Sequence, residues 1–233
     1  MRIHRRLGLG SLLLLTGGLA YAADQTILGS VLLVKNPGST GKRKVVGKGR
    51  EPGSSNTIVG NPVALGATLV VSATGGSPSS QSFSLPQGLS GITGKAFWSG
   101  DAVKGFKYKD PKGENSPVQS AQIKKGGNGA FSIKATILGK LGLVLVTPPD
   151  PGTGGCVVLK LQGGDTYSVQ FGPTSQITNK DGVVFKARKP TAEGSCITTT
   201  TTSTTTTSSS TSTTLLYGSP SRAFVDRILG LLD

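Results

Sequence analysis

Short runs in which apolar and polar residues alternate recur between residues 24 and 196. Such alternation is typical of half-buried strands, and Gly, Pro, Asn and Asp separate the runs at intervals of about ten to twelve residues. The long apolar stripe of a helix is absent from this region. The pattern predicts strands at 27–35, 42–50, 66–73, 81–86, 104–109, 117–125, 129–137, 141–147, 156–162, 166–171 and 182–188.

The spacing of these runs predicts an all-β fold, either an antiparallel β-sandwich or a barrel. A faint internal repeat accompanies it. Segments 65–88 and 141–164 align without a gap, and each reads as a strand, a turn rich in Gly and Pro, and a second strand. A fixed period of this kind suggests duplication. The β region then consists of one pair of sheets or of two related β units, about 27–100 and 101–196.

The N-terminal segment has the organisation of a signal peptide. Arg2, Arg5 and Arg6 precede an apolar run, and Ala20-Tyr21-Ala22 has the small-x-small pattern of a cleavage site. We therefore predict a signal peptide at 1–22 and an exported protein that is secreted, periplasmic or attached to the cell surface. The apolar run is shorter than the ~20 residues of a membrane span, so we expect no transmembrane segment; an uncleaved anchor is the alternative.

The C-terminal part of the chain changes composition abruptly. Residues 198–214 are all Thr or Ser. Because this tract has no large apolar groups with which to form a core, its composition predicts a disordered linker at 197–218, which follows the β-rich region 23–196. The last segment, 219–233, has the apolar stripe of a short amphipathic helix. A helix of this length is marginal alone in water, so we expect it to dock on the β region, a protein partner or a membrane surface; a frayed, undocked tail is the alternative.

Two cysteines, Cys156 and Cys196, remain in the exported chain. An even count in an oxidising compartment predicts one disulfide, which for so long a loop contributes about 4 kcal/mol by chain-entropy arithmetic. Free thiols and an intermolecular link are the alternatives. The only histidine, His4, lies in the signal peptide. Its removal excludes Ser-His-Asp and Cys-His catalysis and any metal site with a His ligand.

Carboxylates are the remaining candidates for catalysis. Nine are scattered between Asp24 and Glu193, and a glycoside hydrolase needs only two, such as Asp110 and Asp165, at a suitable separation. Nothing in their spacing brings a pair together, however. We therefore predict no catalytic residue, no metal site and no cofactor.

The positive charge is the strongest chemical signal. The formal net charge is +14, of which Arg2, Arg5 and Arg6 supply three. The densest basic cluster is Lys42, Arg43, Lys44, Lys48 and Arg50, and further groups follow at Lys104, Lys107, Lys109, Lys112, Lys124, Lys125, Lys186, Arg188 and Lys189. On a strand, Lys42, Lys44, Lys48 and Arg50 share one face. This predicts affinity for an anionic polysaccharide or another cell-surface polymer, with no specific nucleic-acid site; the alternative is a solvated face that blocks edge-to-edge pairing.

Among the aromatic residues, Trp98 is the candidate for ligand binding. It is the only tryptophan, and turn-forming residues follow it. We predict that it is partly exposed and faces a carbohydrate, whereas the other aromatic residues form the core.

Several stretches of the chain resemble a known type of protein. The strands GFKYKDPKG and LGATLVVSA, the ending KPTAEGSC and the Thr/Ser tract before a short C-terminal segment are similar to uncharacterised secreted bacterial β-rich proteins. The resemblance implies a layout and no activity. We expect an exported, non-enzymatic binding or structural protein. The alternatives are a carboxylate-dependent hydrolase acting on extracellular polysaccharide and an adhesin or appendage subunit.

Overall fold

A computed structural model describes residues 21–196, which form two open β-sheets with almost no helix. The strands are β1 Asp24–Thr26, β2 Gly29–Lys35, β3 Lys44–Glu51, β4 Ala67–Gly75, β5 Ser79–Leu85, β6 Trp98–Asp101, β7 Gly105–Lys109, β8 Val118–Lys125, β9 Phe131–Leu138, β10 Gly152–Leu161, β11 Thr166–Phe171, β12 Gln176–Lys180 and β13 Val184–Arg188. The helical turns of this part of the chain are α1, Pro62–Leu65, and two 3-10 turns, Thr40–Lys42 and Gly139–Leu141. The predicted all-β class is confirmed.

The strand order is β1-β11-β10-β4-β5 in one sheet and β12-β13-β2-β3-β9-β8-β7-β6 in the other. Neighbouring strands are antiparallel except β1, which runs parallel to β11. Strands from the two predicted halves pair with each other in both sheets, as β4 does with β10 and β3 with β9. The two halves therefore do not form separate sheets, and duplication stays a prediction from the sequence.

The inner faces of the two sheets contact each other and enclose one core. A Cβ built on Gly47 of β3 would lie 2.5 Å from Val157 Cγ2 of β10, and the rings of Phe131 on β9 and Tyr167 on β11 lie 5.7 Å apart. These pairs join opposite sheets. The apolar members of the period-two pattern, such as Leu32, are buried between the sheets, and the polar members lie outside.

One predicted strand, 141–147, is wrong. Alternate residues of this segment are buried, with Val144 and Val146 at 1% and 0% exposure, but it pairs with no strand through its backbone. Instead the side chain of Gln81 donates to Leu143 O at 3.1 Å and accepts from Leu145 N–H at 2.7 Å. Ser79 Oγ likewise donates to Thr147 O and accepts from its N–H. Side chains of β5 thus take the place of the backbone ladder and cover the edge of the five-stranded sheet.

The other ten predicted strands coincide with observed strands, with ends displaced by a few residues. The first of them, 27–35, corresponds to β2, which begins two residues later at Gly29. Three short strands were not predicted: β1 at Asp24–Thr26, β6 at Trp98–Asp101 and β12 at Gln176–Lys180. Each forms an edge of its sheet, where few apolar residues are needed.

The predicted disulfide between Cys156 and Cys196 is confirmed, with Cα atoms 5.9 Å apart. It joins the centre of β10 to the last described residue. Residues 1–20 of the predicted signal peptide, the linker 197–218 and the C-terminal helix 219–233 lie outside the described residues. Within 21–196, no helix has the length and hydrophobicity needed to cross a membrane.

Candidate polyanion-binding face

The outer surface of the eight-stranded sheet carries most of the basic side chains of its strands. In β3 the inner positions are Val45, Gly47, Gly49 and Glu51, so the alternate positions point outward. The same alternation and the strand register give an outward set that we call the basic face: Lys35, Lys44, Lys48, Arg50, Lys107, Lys109, Lys124, Lys134, Lys180, Lys186 and Arg188. The acidic residue on the same surface is Asp101, in the edge strand β6.

The register places some of these cations directly opposite one another. Lys48 of β3 is paired with Lys134 of β9, and Lys44 of β3 is paired with Lys35 of β2. Like charges in such cross-strand pairs destabilise a sheet. A bound anion would relieve this repulsion, so the face is suited to negatively charged ligands.

A depression of about 420 Å³ lies in the basic face where β3, β9 and β8 meet. It is lined by Ser30, Lys48, Gly49, Arg50, Gln122, Lys124, Ser132, Ile133 and Lys134. Four of these residues are cationic and none is acidic. On the inner side of β3, a Cβ on Gly49 would lie 2.9 Å from both Ile27 Cγ2 and Val169 Cγ2. The glycines of β3 thus let the strand lie close to the opposite sheet beneath the depression.

The outer surface of the five-stranded sheet is chemically different. Hydroxyl groups dominate it, and its outward residues include Thr68, Ser72, Ser80, Ser82, Ser84, Thr166 and Ser168. Lys160 is the single basic residue within the five strands of this sheet. The positive charge of the two sheets is therefore concentrated on one side.

Most of the described carboxylates hold loops in place. Asp110 is fully buried and accepts from the N–H groups of Glu114 and Asn115, while Asp165, also fully buried, accepts from Val59 N–H at 2.7 Å. Burial is the main cause that raises the pKa of both Tyr108 and Tyr167. The neighbouring carboxylate, Asp110 or Asp165, raises it further. The two aspartates that the sequence offered as a hydrolytic pair flank strands of different sheets, Asp110 directly after β7 and Asp165 directly before β11, and neither is exposed to solvent.

The predicted basic cluster is only partly gathered on one face. Lys44, Lys48 and Arg50 lie on it as expected. Lys42 precedes β3, in the 3-10 turn. Arg43 has another role: its guanidinium is half-buried and donates to Asn36 Oδ1 at 3.0 Å and to Val144 O at 2.6 Å. It anchors the segment beside β5 and does not lie on the basic face with Lys44, Lys48 and Arg50, so its part in polyanion binding stays a prediction.

The prediction that Trp98 faces a ligand is also wrong. Its side chain is 2% exposed, packs against Tyr108 with ring centroids 5.3 Å apart, and donates from Nε1 to Leu85 O at 3.1 Å. The turn-forming residues after it belong to strand β6. The tryptophan is part of the core.

Sequence reasoning missed Lys134, which the register places beside Lys48. Lys134 stands alone in its strand, and the local cluster on which the prediction relied contains no residue of β9. The one feature of the sequence that indicates its outward position is alternation, because the apolar residues Ile133 and Ala135 on either side of it are buried. Lys124 stands beside Lys125 in the sequence, but its neighbours across the sheet depend on the pairing of β8 with β9, which the local sequence does not reveal.

No group of three His, Cys, Asp or Glu residues within 21–196 is arranged to hold a metal ion. Comparison of the chain with protein-family models, with curated proteins and with solved structures finds no match.

Proposed function

We propose that this protein is an exported binding module, with its two sheets arranged as a β-sandwich, that associates with an anionic polysaccharide of the cell surface or its surroundings. The observation that carries the proposal is the depression lined by Lys48, Arg50, Lys124 and Lys134 in the centre of the basic face. The protein acts by binding rather than by catalysis, since its buried aspartates are occupied as hydrogen-bond acceptors.

The unequal distribution of charge between the two surfaces supports this proposal. Charge that served only solubility would be useful on either side of the molecule. Here the outer surface of the five-stranded sheet is nearly neutral, with Lys160 as the single basic residue of its strands. A one-sided field attracts and orients a polyanion.

The dimensions and side chains of the face favour a polymer over a compact anion. Eight strands at the usual spacing of about 4.8 Å extend about 34 Å across the sheet. Lysine predominates, and its ammonium is a mobile point charge, whereas arginine is better suited to bidentate contacts of fixed geometry. Many mobile charges along an extended surface suit repeated carboxylate or sulfate groups.

Binding to polymers of known charge tests the proposal. Polygalacturonate and heparin should bind the protein and shift the backbone amide NMR signals of β3, β8 and β9, while neutral dextran of similar length should not. The signals of β4 and β5, on the opposite side, serve as the internal control. Equal shifts on both surfaces, or binding to dextran, would contradict the proposal.

A further inference from the structure

The start of the described chain meets a buried carboxylate. Ala23 N–H donates to Asp165 Oδ1 at 2.9 Å, and Ala23 O accepts from Thr166 N–H at 2.9 Å. Ala23 thus lies against the beginning of β11, and β1 continues from it parallel to that strand. The position matters because the small-x-small pattern predicts cleavage between Ala22 and Ala23.

Asp165 is fully buried. Its other acceptor atom, Oδ2, takes hydrogen bonds from Val59 N–H at 2.7 Å, Tyr167 Oη at 3.0 Å and Thr57 Oγ1 at 3.5 Å. All of these donors are neutral. A buried carboxylate is costly unless it is paired with a positive charge as well as hydrogen-bonded, and its hydrogen-bond partners before processing supply no such charge.

We propose that removal of the signal peptide supplies the missing countercharge: Ala23 becomes the N-terminal residue, and its α-ammonium group forms an ion pair with Asp165. Hydrolysis adds one water across the Ala22–Ala23 amide. The hydroxyl goes to the Ala22 carbonyl carbon, a proton goes to the Ala23 nitrogen, and this amine takes up a further proton at neutral pH. The hydrogen bond from a neutral amide to the carboxylate is converted into an ion pair at the same position.

The surroundings of Ala23 are compatible with cleavage of the Ala22–Ala23 bond and with the α-ammonium group that results. Tyr21 is 79% exposed, so a peptidase can reach the chain just before the cleavage site. Ala23 is itself exposed, so the ammonium protons that Asp165 does not accept can bind water. Maturation therefore places a positive charge beside Asp165, at the position that the Ala23 N–H already occupies.

This inference rests on the predicted cleavage and is independent of the basic face. Its first test is the N-terminal sequence of the protein recovered after export. A start at Ala23 agrees with the proposal, and a start elsewhere overturns it whatever the outcome of polymer binding.

The second test compares the Tm of four proteins that all end at Asp233. Two begin at Ala23 and two begin at Tyr21, and each pair consists of the chain with Asp165 and its D165N variant. With Asp165, the chain beginning at Ala23 should have the higher Tm by about 4 °C or more, the scale of a countercharge to a buried carboxylate in a domain of this size. With D165N the difference should vanish. Equal midpoints for the two Asp165 chains, or a difference that persists with D165N, would overturn the ion pair.

A labelling measurement on the unsubstituted chain keeps the test decisive if D165N does not fold. The α-amine of Ala23 should be acylated at least about ten times more slowly in the native protein than in urea, because an ion-paired ammonium must first leave its partner. The exposed Lys160 provides the comparison for ordinary native reactivity. Acylation of Ala23 at the same rate in both conditions would show that the amine is free.

Discussion

Gly47 of β3 lies directly against Val157 of β10, with its missing Cβ position 2.5 Å from Val157 Cγ2. Val157 is fully buried and β-branched, so it has little freedom to move away. The contact joins the strand that carries Lys48 and Arg50 to the opposite sheet. The glycine thus helps to set the position of the basic face relative to the core.

We therefore expect Gly47→Ala to lower the free energy of unfolding by about 1–3 kcal/mol, as overpacking of a core does. Urea denaturation measures this. Gly41→Ala is the matched control, because a Cβ at Gly41 would have no neighbour within 4 Å. Equal stability of the two variants would show that the sheets separate easily at this point.

A second prediction concerns Gln81, whose side chain takes the place of strand pairing between β5 and segment 141–147. Gln81→Ala removes both hydrogen bonds to the backbone of Leu143 and Leu145, which should cost about 1 kcal/mol and speed hydrogen exchange at the Leu145 amide. Ser82→Ala, on the outward side of the same strand, should leave that exchange rate unchanged. Unaltered exchange at Leu145 in the Gln81 variant would mean that the segment is held by burial of Val144 and Val146 alone.

The third prediction is a pH dependence. Glu51 is buried at the end of β3, and burial raises its pKa above the ordinary value although Leu28 N–H donates to it at 2.9 Å. A carboxyl with a raised folded-state pKa binds its proton more tightly in the folded protein than in the unfolded one. The free energy of unfolding should therefore fall as pH rises from the ordinary pKa to the raised one, and Glu51→Gln should remove this decline.

Urea denaturation at several pH values between 4 and 7 measures the difference between the wild-type protein and Glu51→Gln. The wild-type protein should lose stability relative to the variant with increasing pH. A constant difference over this range would contradict the account of Glu51.

The sequence predicted strands well because alternation is a local property. The error at 141–147 shows its limit: Val144 and Val146 are buried as the pattern indicates, but the bonding partner of this segment is the side chain of Gln81, more than sixty residues away. Periodicity reports which residues face the core. It does not report whether a backbone or a side chain satisfies the exposed edge.

The candidate site was predictable only within one strand. Alternation placed Lys44, Lys48 and Arg50 together, but Arg43 is out of phase with them and binds Asn36 and Val144 O. Lys134 joins the face through the pairing of β3 with β9, a register fixed by long-range contacts. Trp98 was misplaced because the glycine-rich sequence around it resembles a loop, whereas its indole fills the core beside Tyr108.

Binding of an anionic polymer by the basic face is tested most directly by two variants of equal charge. Gln replaces Lys48, Arg50, Lys124 and Lys134 in the first, and Lys95, Lys112, Lys140 and Lys160, which are exposed outside the face, in the second. The measurement is the dependence of log Kd for heparin on log salt concentration.

The first variant should bind more weakly and flatten the slope by roughly 3, because each lost contact removes about 0.7–0.9 from it through counterion release. The second variant should keep the wild-type slope, since its charges lie away from the bound polymer. Equal weakening and equal slopes for the two variants would contradict the claim and leave net charge alone as the source of attraction.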